Sequence, residues 1–307
     1  GSMSQRSDVT YGYATEYVSS RKRRNEMAMY MSRWEEAEDR LHLMADLLAF
    51  IPTKNIQISF MNSPHIVNLA QKGHTPSAFQ QLAHSIISET FASIVISESE
   101  SAPSLLTGTV LSSGLGKTPT LHVLQRAFED SESFEDPTAH YLLTDGVPSD
   151  SSISQVEQLV CDRKNPEKNP LTFLSCSNDD KLCAWMKEIE MRAPYTAEID
   201  DFFDELSEVI RRQGRAFPYT RGMWVVSNLA AAVNPNDMDA IDDDLPFSKF
   251  TLDELMGRTH CESEYAYYFN NHPQTSRYSE FYNQFLNESC HARNFLPTEF
   301  LETNAKK

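Results

Sequence analysis

The stretch His140-Tyr141-Leu142-Leu143-Thr144-Asp145-Gly146-Val147-Pro148 decides the fold class. A brief apolar run is stopped by Asp-Gly, the pattern of a short buried strand meeting a turn. A second such run, Leu171-Thr172-Phe173-Leu174-Ser175, follows a helical pattern over 152–161. Short strands alternating with helices imply an α/β fold, a mostly parallel sheet covered by helices on both faces. In such sheets ligands sit beyond the carboxyl ends of the strands. The informative loops are therefore those after Phe60, before Pro119 and after Thr144.

Outward from that centre, Met27, Met31, Trp34, Ala37, Leu41, Met44 and Leu48 recur at three or four residues. They predict one amphipathic helix over 25–50, ended by Pro52. Ile56-Gln57-Ile58-Ser59-Phe60 alternates apolar and polar residues and predicts a strand over 55–61. A helix is expected over 77–92, a Ser/Glu-rich loop over 97–104, and a second loop at Gly114-Leu115-Gly116-Lys117-Thr118-Pro119. Pro119 suits a first helical position, and Leu121, Leu124 and Phe128 point the following helix inward. Further helices are expected near 179–190, 198–212 and 220–233. The expected organisation is an N-terminal segment over 1–24, a main domain over 25–240 and a helical C-terminal extension over 241–307. Asp237, Asp239, Asp242, Asp243 and Asp244 crowd the linker. Beyond it Tyr265, Tyr267, Tyr268, Tyr278 and Tyr282 suit a recognition surface, though packing at core edges is the commoner use, and residues 301–307 are expected to fray.

The charge is −17, from 44 acidic against 27 basic residues in 307. That acidity opposes a general affinity for nucleic acid or anionic lipid and suits solubility and a basic partner. No apolar run approaches the length needed to span a bilayer. Gly1-Ser2 reads as a cloning remnant ahead of Met3, with no apolar leader after it. Cys161, Cys176, Cys183, Cys261 and Cys290 are odd in number and scattered, without metal-ligand spacing. They are expected to be reduced thiols in an intracellular compartment.

Three segments together resemble the von Willebrand factor A family. Trp34-Glu35-Glu36-Ala37 leading to Phe60-Met61-Asn62 is similar to the family's first helix and second strand. Gly114 to Thr120 looks like its Gly-x-Thr-Pro loop, and Leu142 to Pro148 like its Thr-Asp-Gly-x-Pro strand end. Phe173 to Asp180 resembles the next strand and its acidic turn, and Arg221 to Asp242 resembles a hydrophobic helix and acidic linker that follow the domain in some intracellular members; the match covers roughly 25–240. The resemblance implies a Rossmann-like sheet and a protein-protein interaction module with a metal-ion-dependent adhesion site at the carboxyl edge. In that family Mg²⁺ takes an Asp-x-Ser-x-Ser after the first strand, a Thr from the second loop and the Asp of Thr-Asp-Gly. Thr118 and Asp145 match the second and third positions. The first is missing or degenerate, because Asp8-Val9-Thr10-Tyr11-Gly12-Tyr13 is short and polar. Asp150-Ser151-Ser152-Ile153-Ser154 matches literally but in the wrong place, where Asp150 or Ser152 reads as a helix N-cap. Two protein ligands carrying one charge predict weak Mg²⁺ binding. The alternative to a metal role has Thr118 capping the next helix and Asp145 satisfying turn amides.

Other readings compete with that module. Gly116-Lys117-Thr118 with Asp145 mimics a nucleotide-binding enzyme's phosphate loop, but Leu111 stands where its first glycine belongs. His260-Cys261 and Cys290-His291 would make a thiol pair only if folding brought Cys261 to His291. A metal-independent scaffold remains beside both. No catalytic residue and no organic cofactor is assigned.

Overall fold

The computed structural model describes residues 6–10, 30–61, 63, 66–100, 118–177, 180–234, 241, 244–298 and 301. It is a mixed α/β structure containing a three-stranded parallel sheet flanked by helices. Two compact units emerge: Gly1–Phe203 with Gly222–Pro235, and Asp204–Arg221 with Asn236–Lys307.

In the first unit, β1 (Arg6–Thr10) pairs antiparallel with β2 (Tyr30–Ser32). The expected helix over 25–50 therefore starts late, as α1 (Arg33–Leu48). Ser32 supplies the reason. Its side chain accepts the Glu35 N–H while the Glu35 carboxylate accepts the Ser32 N–H, a capping box that fixes the first turn. β3 (Ile56–Ser59) turns back antiparallel into β4 (Ile66–Leu69), Ile56 opposite Leu69. The strand over 55–61 thus belongs to a separate two-stranded sheet, a correction to the expectation that it would extend the parallel one. α2 (Pro76–Glu100) continues through half of the expected 97–104 loop.

The parallel sheet runs β5 (His140–Thr144), β6 (Leu171–Ser175), β7 (Thr196–Ile199), in that order and in register from His140 opposite Leu171. β6 and β7 are buried at every residue, as expected of strands covered on both faces. Leu142 and Phe173 point to one face. There they pack with Leu124 and Phe128 of α3 (Thr120–Glu132), Val156 and Val160 of α4 (Ile153–Cys161), and Trp185, Met186 and Ile189 of α5 (Asp180–Glu190). Leu143 points to the other face, into a cluster with Ala37 and Ala45 of α1 and Phe79, Ala83, Ile87 and Phe91 of α2. Period-two alternation along β5 thus joins two apolar layers.

Two buried arginines hold the ends of this sheet. Arg40 of α1 is 0% exposed and donates to the carbonyls of Ser175, Ile199 and Asp200 at the carboxyl ends of β6 and β7. It also donates to Asn228 Oδ1 at 2.7 Å and lies 4.6 Å over the Trp224 ring, both from α7 (Arg221–Ala230). Arg163 does the same at the amino ends, donating to the carbonyls of Val160, Asn169, Pro194 and Tyr195.

The second unit contains most of α6 (Phe202–Gln213), α8 (Lys249–Met256), α9 (Glu262–Asn270) and shorter helices at Thr275–Tyr278, Tyr282–Asn287 and Ala292–Phe295. Its core is aromatic. Tyr265, Phe269, Tyr278 and Phe285 are buried, with Phe269 and Phe285 rings 5.3 Å apart. Buried phenols find partners: Tyr265 Oη donates to the Phe247 carbonyl, and Tyr268 Oη donates to Gln213 Oε1 at 2.6 Å. Only Tyr267 of this group is widely exposed. Residues 302–307 lie outside the described residues.

Candidate functional site

Two loops meet beyond the carboxyl end of β5. Thr118 and Pro119 lead into α3, and the Thr118 carbonyl accepts N–H groups from both Thr120 and Ser149. Asp150 reaches across from the other loop, its carboxylate accepting the N–H groups of Leu121 and His122. That carboxylate sits where the α3 dipole and its unpaired amides favour negative charge. Ser152 then caps α4 in a capping box with Gln155. The Asp150-Ser151-Ser152 run is therefore two caps on two helices. Thr118, expected as a possible cap, contributes its carbonyl, and Pro119 occupies the N-cap position without a side-chain bond.

Asp145 is almost completely buried, and it does not satisfy turn amides. Its Oδ2 lies 3.2 Å from Nη1 of Arg33, the first residue of α1, whose side chain is 9% exposed. Arg33, Glu36 and Arg40 follow at three and four residues on α1, a charged stripe beside the apolar one. All three are buried. Their charges act on Cys176, which follows β6 and whose N–H extends the ladder to the Thr144 carbonyl. Burial pushes the Cys176 thiol well above its ordinary pKa. The Glu36 and Asp145 carboxylates push the same way, against Arg40 and Arg33. Its neighbourhood is thus a compact charge network of two acids and two guanidinium groups. The spacing Arg33-Glu36-Arg40 was readable as one face of a helix.

The structure places Thr118 and Asp145 on loops joined by the Ser149–Thr118 backbone bond. Leu111, Gly116 and Lys117 of the phosphate-loop reading, and Gly114 of the Gly-x-Thr-Pro loop, lie outside the described residues. Among the described residues no group of three or more His, Cys, Asp or Glu side chains could hold a metal ion. The loop tip carries an exposed apolar residue, Val147, 41% accessible.

The thiol-imidazole candidates have separate partners. Cys261 Sγ lies 3.0 Å from Ser263 Oγ, and His291 Nδ1 lies 3.0 Å from Thr251 Oγ1. All five cysteines are free of disulfides. Among the described residues no helix is long and apolar enough to cross a membrane.

No protein-family model matches the chain, and no curated protein and no solved structure matches it either.

Proposed function

We propose that this chain is a protein-interaction module of the von Willebrand factor A type, working through the loops at the carboxyl edge of its parallel sheet. One observation carries the reading: the strand-end carboxylate of Asp145 meets a guanidinium from its own chain. In the family that position neutralises a cation. Here Arg33 provides the cation from within, so Mg²⁺ has little to gain at Thr118 and Asp145 and docking is metal-independent. The stitched loops give the surface a fixed shape, and Val147 gives it an exposed apolar contact. The −17 charge favours a protein partner over nucleic acid or anionic lipid. Free thiols suit a reducing, intracellular setting.

The nucleotide reading has a specific obstacle. The first amides of α3 would have to cradle phosphate, yet Asp150 already occupies the Leu121 and His122 N–H groups. No turnover of ATP or GTP is expected, and turnover abolished by Lys117→Ala would install that enzyme instead.

A photoreactive amino acid at Ser149 tests the docking surface. It is expected to give a discrete protein adduct that survives chelator and is lost in Val147→Asp. The same probe at Met191, 76% exposed, is expected to miss that protein. No adduct at Ser149, equal adducts at both positions, or an adduct indifferent to Val147→Asp would overturn the proposal.

A further inference from the structure

The two apolar layers that enclose the parallel sheet also receive β3. The chain leaves β3 through Phe60 and Met61, which divide between the layers as Leu143 and Leu142 of β5 do. Phe60 packs with Leu143 against α1 and α2, and Met61 packs with Leu142 on the opposite face. Lys54, just ahead of β3, pairs with Asp136, just ahead of β5. The two strands therefore begin near one another and run the same way. Yet no ladder joins them. Among the described residues β3 pairs only with β4, and β5 only with β6.

The break leaves an open strand edge. In a parallel ladder a residue's N–H and C=O point to the same side, and successive residues alternate. The His140 N–H donates to the Pro170 carbonyl and the Thr144 carbonyl accepts from Cys176, so His140, Leu142 and Thr144 face β6. Tyr141 and Leu143 turn their N–H and C=O groups outward, where they meet no backbone partner among the described residues. Both are half-buried, as are Ile56, Ile58, Phe60 and Met61 in and after β3, whereas β6 and β7 are buried throughout. Solvent thus reaches a break that has apolar walls. The far edge of the sheet is closed differently, for the Glu198 N–H of β7 donates to Glu190 Oε1 at 3.0 Å. An uncovered strand edge is a template for another extended chain.

We propose that the outer edge of β5 is a strand-addition site that takes an extended apolar segment of a partner protein. The groups on offer select the occupant. Outward N–H and C=O groups at alternate residues match another extended backbone. Apolar clusters above and below call for apolar side chains on both faces of the added strand, as in β6. The −17 charge of the chain favours basic residues on either side of that apolar core. A second copy has no such strand to spare in its parallel sheet, because β5 is tied to β6 and β6 to β7. The edge is separate from the loops beyond the carboxyl ends, so this site stands whether or not those loops dock a protein.

Residue-resolved amide hydrogen exchange of the full reduced chain tests the edge. The probe is a soluble peptide of alternating valine and isoleucine between lysine pairs. In the dilute chain alone, the Tyr141 and Leu143 amides are expected to exchange faster than those of Leu142 and Thr144. Added peptide should slow Tyr141 and Leu143 by about tenfold or more as it pairs with them. The same peptide N-methylated throughout its apolar core keeps the side chains but loses its donors and carries methyl groups on its edges. It should protect neither amide. The assignment fails if these two amides are already as protected as their neighbours in the dilute chain, because the edge is then filled from within. It fails too if protection without peptide grows with protein concentration, the mark of a second copy. Peptide that leaves both amides unchanged, or equal protection by the N-methylated form, would likewise overturn it.

Discussion

The guanidinium of Arg33 and the carboxylate of Asp145 lie 3.2 Å apart although 112 residues separate them in the chain. Both side chains are more than nine-tenths buried. Removing one partner strands the other charge away from water. Arg33→Met is therefore expected to lose about 3–5 kcal/mol of stability, and Asp145→Leu a similar amount. The double variant should lose less than either single one, because no charge is left unpaired. Urea unfolding of the four proteins measures this, and additive losses would show that the two residues do not act as a pair.

Asp150→Ala should cost about 1 kcal/mol, since it uncovers two amides at the start of α3. Asp150→Asn should recover most of that, because the amide oxygen still accepts. If the alanine variant unfolds at the wild-type urea midpoint, the carboxylate does not cap the helix.

Acid should weaken the fold through two histidines. Burial lowers the pKa of His140 to about 4, with Asn169 opposing and Arg163 assisting. Burial lowers His272 to about 4 as well, against the pull of Asp244. Between pH 6.5 and pH 4 the unfolded chain binds protons that the folded chain excludes. The stability these groups leave intact above pH 6.5 is therefore lost as pH falls toward 4, by about 3 kcal/mol each. Urea midpoints from pH 7.5 to 4.5 should fall less steeply in His140→Gln and in His272→Gln. Slopes parallel to wild type would remove these histidines as the cause.

Gly214 follows α6 with φ +82°, and a Cβ there would stand 2.6 Å from the Asn271 carbonyl oxygen. Neither the backbone angle nor the space suits a side chain. Gly214→Ala should cost at least about 2 kcal/mol, whereas Gly73→Ala, with a similar angle but open surroundings, should cost about 1 kcal/mol. Equal losses in thermal melts would rule out the close approach.

The parallel sheet was legible because β5 and β6 are apolar runs that end in turn residues. β7 was not: Thr196-Ala197-Glu198-Ile199 is short and carries a carboxylate, and only its place beside β6 makes it a strand. β4 was hidden for the same reason, since Ile66 to Leu69 declares itself only through pairing with β3. The start of α1 could have been found. Ser32-Arg33-Trp34-Glu35 is a capping-box pattern that outweighs the apolar spacing of Met27 and Met31. At the site, sequence pointed to Thr118 and Asp145 but could not supply Arg33, because their pairing depends on tertiary packing across 112 residues.

The two arginines at the ends of the sheet also divide its assembly in time. Arg163 reaches partners no more than 32 residues away, so the amino edge can fasten as soon as β6 and β7 condense. Arg40 reaches partners 135 to 188 residues away and cannot finish its bonds until α7 arrives. We expect these long-range bonds to form after the folding barrier, once the rest of the sheet has condensed. Arg40→Met should then leave the refolding rate nearly unchanged and accelerate unfolding, which stopped-flow kinetics would resolve. On that expectation the carboxyl edge, where the proposed docking loops stand, is the last part of the sheet to lock, and Arg40 sets the lifetime of the locked state.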